Sequence, residues 1–297
     1  MGNLHQKKRI DSIRSEYPFA SHWLHIDGLK YHYLDQGNAD APPIVMLHGN
    51  PTWSFYYRKL IPELSKKFRV IAPDHIGCGL SDKPQDYPYT LESHIHNVTL
   101  LIDRLHLKNI RLAVHDWGGA IGMGYATRNP ENVARLVIFN TAAFFEPVIP
   151  KRIQICRIPK LGKFLVRGLN GFALAALIFA TSRHKRFTRE VRAGYLFPYN
   201  NWSNRVAIHR FVSDIPMEDD HPTRAVLDQI EARLPLLRDR PALIIWGEDD
   251  FCFTTKNFLS RWEALFPQAE IKRIAGAGHY VVEDAYEEIL PLLARFL

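Results

Sequence analysis

Val114-His115-Asp116-Trp117-Gly118-Gly119 decides the fold of this 297-residue chain. Residues 110–114 before it form an apolar, β-branched run, and residues 119–128 after it have helical spacing, so Asp116 falls on a strand-to-helix corner. Such a corner, a nucleophile elbow, holds its central side chain exposed above the sheet, and the small residues that follow let the helix pack close. Where G-x-S-x-G elbows carry serine, this one carries aspartate. A carboxylate nucleophile attacks a saturated, electrophilic carbon and leaves an ester that water then cleaves, chemistry suited to carbon–halogen bonds and epoxides. Taken alone, Asp116 reads equally well as the N-cap of the helix beginning near Gly118.

Working outward, residues 22–26 and 30–34 flank an Asp27-Gly28 turn and predict a hairpin at an antiparallel edge. Apolar runs at 44–47, 69–72, 110–114 and 136–139 alternate with helical spacing over 58–66, 93–105 and 119–128. Strands alternating with helices mean parallel βαβ units. The pattern resumes with a strand at 242–246, a helix over 254–266, a strand at 270–274 and a terminal helix from about 284. Between the halves, residues 144–220 lack strand periodicity and read as a helical cap after the sixth strand. Within it, Leu169–Ala180 is strongly apolar but well short of the ~20 residues that span a bilayer, and reads as a buried cap helix.

Chain order then supplies partners for Asp116. His279 sits in Ala275-Gly276-Ala277-Gly278-His279 after the last strand, where a glycine-flexed loop brings an imidazole over the elbow. Asp250 closes Trp246-Gly247-Glu248-Asp249-Asp250 after the preceding strand, positioned to orient that imidazole, and is preferred to Asp249. Asn50, in Leu47-His48-Gly49-Asn50-Pro51-Thr52, and Trp117 offer backbone N–H groups for an oxyanion hole. Their side chains add an amide and an indole donor, a neutral pair able to cradle a leaving halide without a buried cation.

His48–Ser54 (HGNPTWS), Ala72–Pro84 (APDHIGCGLSDKP), His115–Gly119 (HDWGG), Phe139–Ala142 (FNTA), Asn204–Pro216 and Gly276–Tyr280 (GAGHY) together resemble the haloalkane dehalogenases, over nearly the whole chain after residue 20. The combination of Asn50 with Trp117 is the most specific part of that likeness. The resemblance implies an α/β-hydrolase fold: a mostly parallel eight-stranded sheet flanked by helices, with core 1–143 and 221–297 and a helical cap 144–220. It implies catalysis by Asp116, His279 and Asp250, halide binding by Asn50 and Trp117, and a small apolar halogenated substrate turned over with water to alcohol and halide, without metal or organic cofactor. One dehalogenase subgroup carries its acid after the sixth strand; Asn140-Thr141 stands there instead, which favours Asp250. An epoxide hydrolase is the nearest rival, with Tyr195 and Tyr199 available to protonate the oxygen, and a Renilla-type luciferase shares the same residues. A binding protein on a dead hydrolase scaffold is the alternative from another class, disfavoured by the intact triad.

Hydrophobic residues make up 46% and charged residues 23%, the balance of a globular protein with a sizeable core. The net charge of +7 is unevenly spread. From Phe144 to Val212, thirteen lysines and arginines face two acids, Glu146 and Glu190, a net +11 that leaves −4 for the remainder. That localised charge reads as a solvated cap face and no nucleic-acid site is expected; attraction to an anionic surface, self-association or help in anion exit is the alternative. Phe144, Phe145, Phe172, Phe179 and Trp202 are candidates for an apolar pocket, though cap core is preferred for each. Three cysteines, Cys78, Cys156 and Cys252, suggest neither a disulfide framework nor a zinc site, and a cytoplasmic setting is expected. The basic start, residues 1–9, has no apolar stretch of a secretory signal, and Gln6 stands where myristoylation wants Ser or Thr.

Overall fold

A computed structural model of the chain describes residues 13–183 and 187–297; the basic start read above lies outside them. Eight strands form one sheet: β1 (His22–Ile26), β2 (Leu29–Gln36), β3 (Pro43–Leu47), β4 (Arg69–Pro73), β5 (Ile110–Asp116), β6 (Val133–Thr141), β7 (Ala242–Gly247) and β8 (Glu270–Ile274). Their spatial order is β1-β2-β4-β3-β5-β6-β7-β8. Asp27 and Gly28 both take positive φ, 48° and 80°, the backbone a tight hairpin turn demands, and β1 pairs antiparallel with β2 from His22↔Tyr33 to Ile26↔Leu29. β2 also runs antiparallel to β4, and every later pairing is parallel. The fold is thus the α/β-hydrolase arrangement.

Alternation along the central strands divides the interior into two cores. Leu112, Val114, Leu136, Ile138, Ile244 and Trp246 face one side, packed with the helices Leu91–Arg104 and Trp117–Ala126. Ala113, Val137, Phe139, Leu243 and Ile245 face the other, packed with the helix Val281–Phe296. Both faces are covered, which is why these strands read as continuous apolar runs.

Among the described residues no strand lies between β6 and β7. That stretch forms the helices Lys151–Arg157, Leu161–Lys163 running on to Gly168, Gly171–Phe179, Arg189–Leu196, Val206–Ser213 and Pro222–Arg233. Two expectations change. The helix over 58–66 is only Ile61–Leu64, after a separate turn at Ser54–Tyr57, because Pro62 has no N–H with which to join the two. The apolar stretch 169–180 is not simply buried: Ala173 and Leu177 point inward, while Leu169, Leu174, Ile178 and Phe179 are exposed. A helix apolar all round has no polar side to turn outward.

Candidate active site

β5 ends on Asp116, whose φ of 51° and ψ of −128° lie outside the ordinary regions for an L-residue, as a nucleophile elbow requires. The corner is closed by contact. A Cβ on Gly118 would stand 2.2 Å from the Leu47 carbonyl oxygen, and one on Gly119 1.8 Å from Thr141 Oγ1. The Thr141 hydroxyl donates to the Asp116 carbonyl oxygen, an anchor that sequence reading missed because a threonine at a strand end has no distinguishing pattern. Asp116 occupies the N-cap position of the helix Trp117–Ala126 yet makes no side-chain capping bond. Its carboxylate accepts instead from the Asn50 backbone N–H at 2.5 Å and from that of Trp117.

The three loops expected to converge do so. His279 Nε2 lies 3.6 Å from Asp116 Oδ2, and its Nδ1 lies 2.9 Å from Asp250 Oδ2. A carboxylate only accepts, so Nδ1 carries the proton and neutral His279 presents a lone pair at Nε2. Asp250 is aimed by the N–H groups of Cys252 (2.7 Å) and Phe253 (3.1 Å), a turn with no signature in the sequence. Its neighbour Asp249 is exposed. Asn140 is fully committed elsewhere: its amide both donates to the Gly247 carbonyl (3.0 Å) and accepts from the Gly247 N–H (2.8 Å), clipping β6 to β7. Behind the imidazole, His115 Nε2–H donates to the His279 carbonyl oxygen at 2.9 Å.

Burial raises the Asp116 carboxyl above its ordinary value, against the pull of His279 and the two backbone donors. Burial alone would lower His279, but Asp250 and then Asp116 outweigh it, and the imidazole is raised. Each of the two thus favours the charged form of the other.

Asn50 Nδ2 donates to the Ile208 carbonyl at 3.2 Å, which leaves its second N–H for the cavity. Trp117 packs at 5.3 Å against Phe211. Ile208 and Phe211 belong to the inserted helix Val206–Ser213, so the insertion positions both donors. Two apolar arms meet at Asp116 and Asn50, sharing Ile153, Phe172 and Cys252. One runs past Trp117, Phe144, Phe145, Val148 and Leu227; the other runs past Ile155, Leu165, Ala176 and Phe179 to Arg152. Phe144, Phe145, Phe172 and Phe179 line the cavity; Phe144 is also buried core, with Phe145 and Phe172 packed against core clusters as preferred, whereas Phe179 and Trp202 are exposed. Tyr195 and Tyr199 do not line it; their hydroxyls donate to Glu283 (2.5 Å) and to the Thr52 carbonyl (3.1 Å). That takes away the acids named for an epoxide hydrolase.

Residues 42–286 match the family model described as alpha/beta hydrolase fold. The chain is 45% identical over 286 residues to a cis-3-alkyl-4-alkyloxetan-2-one decarboxylase of Shewanella oneidensis, covering 94% of this chain and 89% of that one. It is 32% identical over 284 residues to haloalkane dehalogenase 2 of Mycobacterium tuberculosis, covering 94% and 96%. The solved structure of the haloalkane dehalogenase DatA from Agrobacterium tumefaciens superposes with a TM-score of 0.83 at 28% identity, over 94% of this chain and 97% of that one. With an aspartate at the elbow, a histidine and an acid in the expected order, and these relatives over nearly its full length, the chain belongs to the α/β-hydrolase fold family, in the company of the haloalkane dehalogenases.

Proposed function

We propose that this enzyme opens and decarboxylates β-lactones that carry an alkyl chain on each of the two saturated ring carbons. The observation that carries the reading is the pair of apolar arms meeting over one carboxylate. A 3,4-dialkyl-oxetan-2-one brings two apolar chains, one on the reacting carbon C4 and one on its neighbour C3; a primary haloalkane brings one. The 45% identity to a decarboxylase of such compounds points the same way.

Asp116 is the nucleophile. Its carboxylate attacks ring carbon C4 in line, the C4–O bond breaks with its electron pair passing to the ring oxygen, and the product is an ester on Asp116 with a free carboxylate on C3. The side chains of Asn50 and Trp117 hold that departing oxygen as they would a halide. The C2–C3 bond then breaks to release CO2, its electron pair becomes the C3=C4 double bond, and the ester C–O bond returns its pair to Asp116. No water or proton is consumed, in contrast to ester hydrolysis. Inversion at C4 followed by anti departure converts a cis lactone to a cis alkene.

Haloalkane dehalogenation is the second reading, favoured by the neutral donor pair Asn50 and Trp117 beside the nucleophile. There His279, supported by Asp250, deprotonates water to hydrolyse the ester, whose oxyanion meets the backbone N–H groups of Asn50 and Trp117. The deciding experiment gives the enzyme a cis-3,4-dialkyl β-lactone and, separately, a panel of bromoalkanes. Gas chromatography should detect cis alkene with equimolar CO2, and Asp116→Ala should abolish it. Rapid halide release with no enzymatic alkene would sink the lactone reading in favour of dehalogenation.

A further inference from the structure

The outer surface of the helical insertion is unlike the rest of the molecule. Among the described residues, all the exposed large apolar side chains except Trp23, Leu236 and Ile271 lie in it. They include Ile155, Ile158, Leu161, Phe164, Ile178 and Phe179. Isolated exposed leucines are ordinary; such a concentration on one insertion marks an interaction surface.

Two further observations say what kind. From Lys151 to Arg183 there is no acidic residue. Lys151, Arg152, Lys160 and Lys163 are exposed and, among the described residues, in no ion pair, whereas Arg157 and Arg183 find glutamates, Glu218 and Glu288, outside that stretch. Unpaired ammonium and guanidinium groups interleaved with exposed apolar side chains complement a surface that offers anionic phosphates above a hydrocarbon layer. Among the described residues no single helix is long and apolar enough to cross a membrane; the stretches Leu161–Gly168 and Gly171–Phe179 are apolar enough only as a pair bent by 72°, a shape that suits lying in an interface. The second observation joins this surface to the cavity. Ile155 and Phe179 are exposed and also line the arm that ends over Asp116, and the Arg152 guanidinium sits 4.8 Å above the Phe179 ring at its rim.

We propose that the basic, apolar face of the insertion docks on an anionic lipid bilayer, so that the arm lined by Phe172 and Phe179 opens toward the acyl layer. A water-insoluble ligand then passes between bilayer and cavity without crossing bulk water. Binding is reversible and salt-sensitive, since it rests on a few cations and a shallow apolar contact.

The test is sedimentation of the full chain with vesicles of phosphatidylcholine containing phosphatidylglycerol, against vesicles of phosphatidylcholine alone. Binding to the anionic vesicles should weaken about tenfold or more when the anionic lipid is left out, when salt is raised, and in Lys151→Glu/Lys160→Glu/Lys163→Glu. Phe164→Glu/Ile178→Glu, at exposed positions, should weaken it similarly with the circular dichroism spectrum unchanged. The readout is binding, so it stands apart from the lactone assay. Failure to bind anionic vesicles overturns the proposal, as does binding that ignores both variants. Concentration-dependent self-association abolished by Phe164→Glu/Ile178→Glu, without vesicle binding, would overturn it too and assign the face to a second copy of this chain.

Discussion

Burial raises the Asp116 carboxyl above its ordinary value, while burial opposes the rise of His279 and the carboxylates of Asp250 and Asp116 bring it about. A carboxylate must be ionised to attack, so alkene formation should fall as pH drops through an inflection above the ordinary aspartate value of 3.8. Hydrolysis of an alkyl ester needs neutral His279 as well, so bromoalkane turnover should show a second inflection above 6.5, with the rate rising on the alkaline side. Decarboxylation consumes no water, and its profile should lack that upper limb; kcat measured against pH for the two substrates checks this. Gly49 offers a sharper test. A Cβ there would lie 1.9 Å from Asp116 Oδ1, so Gly49→Ala should lower kcat for both reactions by about 10²-fold or more by misplacing the nucleophile, with both assays reading the loss. At this scale the meeting of Asp116, His279, Asp250, Asn50 and Trp117 was legible, because chain order and loop context restrict where those residue types can stand. Thr141 and the Cys252 and Phe253 amides were not, since a hydroxyl or a backbone N–H acquires its role only from what the fold brings opposite it.

The elbow and the sheet beneath it behave as one element. Thr141→Val would leave the buried Asp116 carbonyl without its donor, and Asn140→Leu would unclip Gly247 on both sides. Each should cost about 1–3 kcal/mol, read as a lower urea midpoint at unchanged slope. Thr141→Val should also reduce turnover, since it loosens the backbone that aims Asp116. Strands were the easiest elements to read because burial on both faces makes them uninterrupted apolar runs, as at Ile244 and Ile245. Helices failed where one residue overrode the spacing, as Pro62 does in residues 58–66. The stretch 169–180 failed for a different reason: hydrophobicity alone does not say whether an apolar face meets protein or something else.

A single buried charge cluster ties the distant parts of the molecule together. The Arg58 guanidinium, after β3, bonds Glu283 at the start of the last helix and Glu16 near the beginning of the described chain, while Tyr195 from the insertion donates to the same Glu283. Burial would raise Glu283, but Arg58 overrides it and the carboxyl is lowered. Its stabilisation is therefore present above the unfolded value of 4.5 and lost as pH falls through the lower folded value. Arg58→Met should cost about 3–5 kcal/mol by stranding that carboxylate, and adding Glu283→Leu should restore much of it, as calorimetry of both variants would show. The two arms of the cavity were beyond sequence reading, because they arise where the packed helices of the insertion leave space, a property of the assembled fold. That insertion leaves after β6 and re-enters at β7, and the two strands are neighbours in the sheet. Exit and entry at one doorway mean that inherited changes can lengthen, trim or reshape the insertion without rethreading the sheet. A change of diet can thus be confined to the insertion, with the reaction centre left on the sheet untouched.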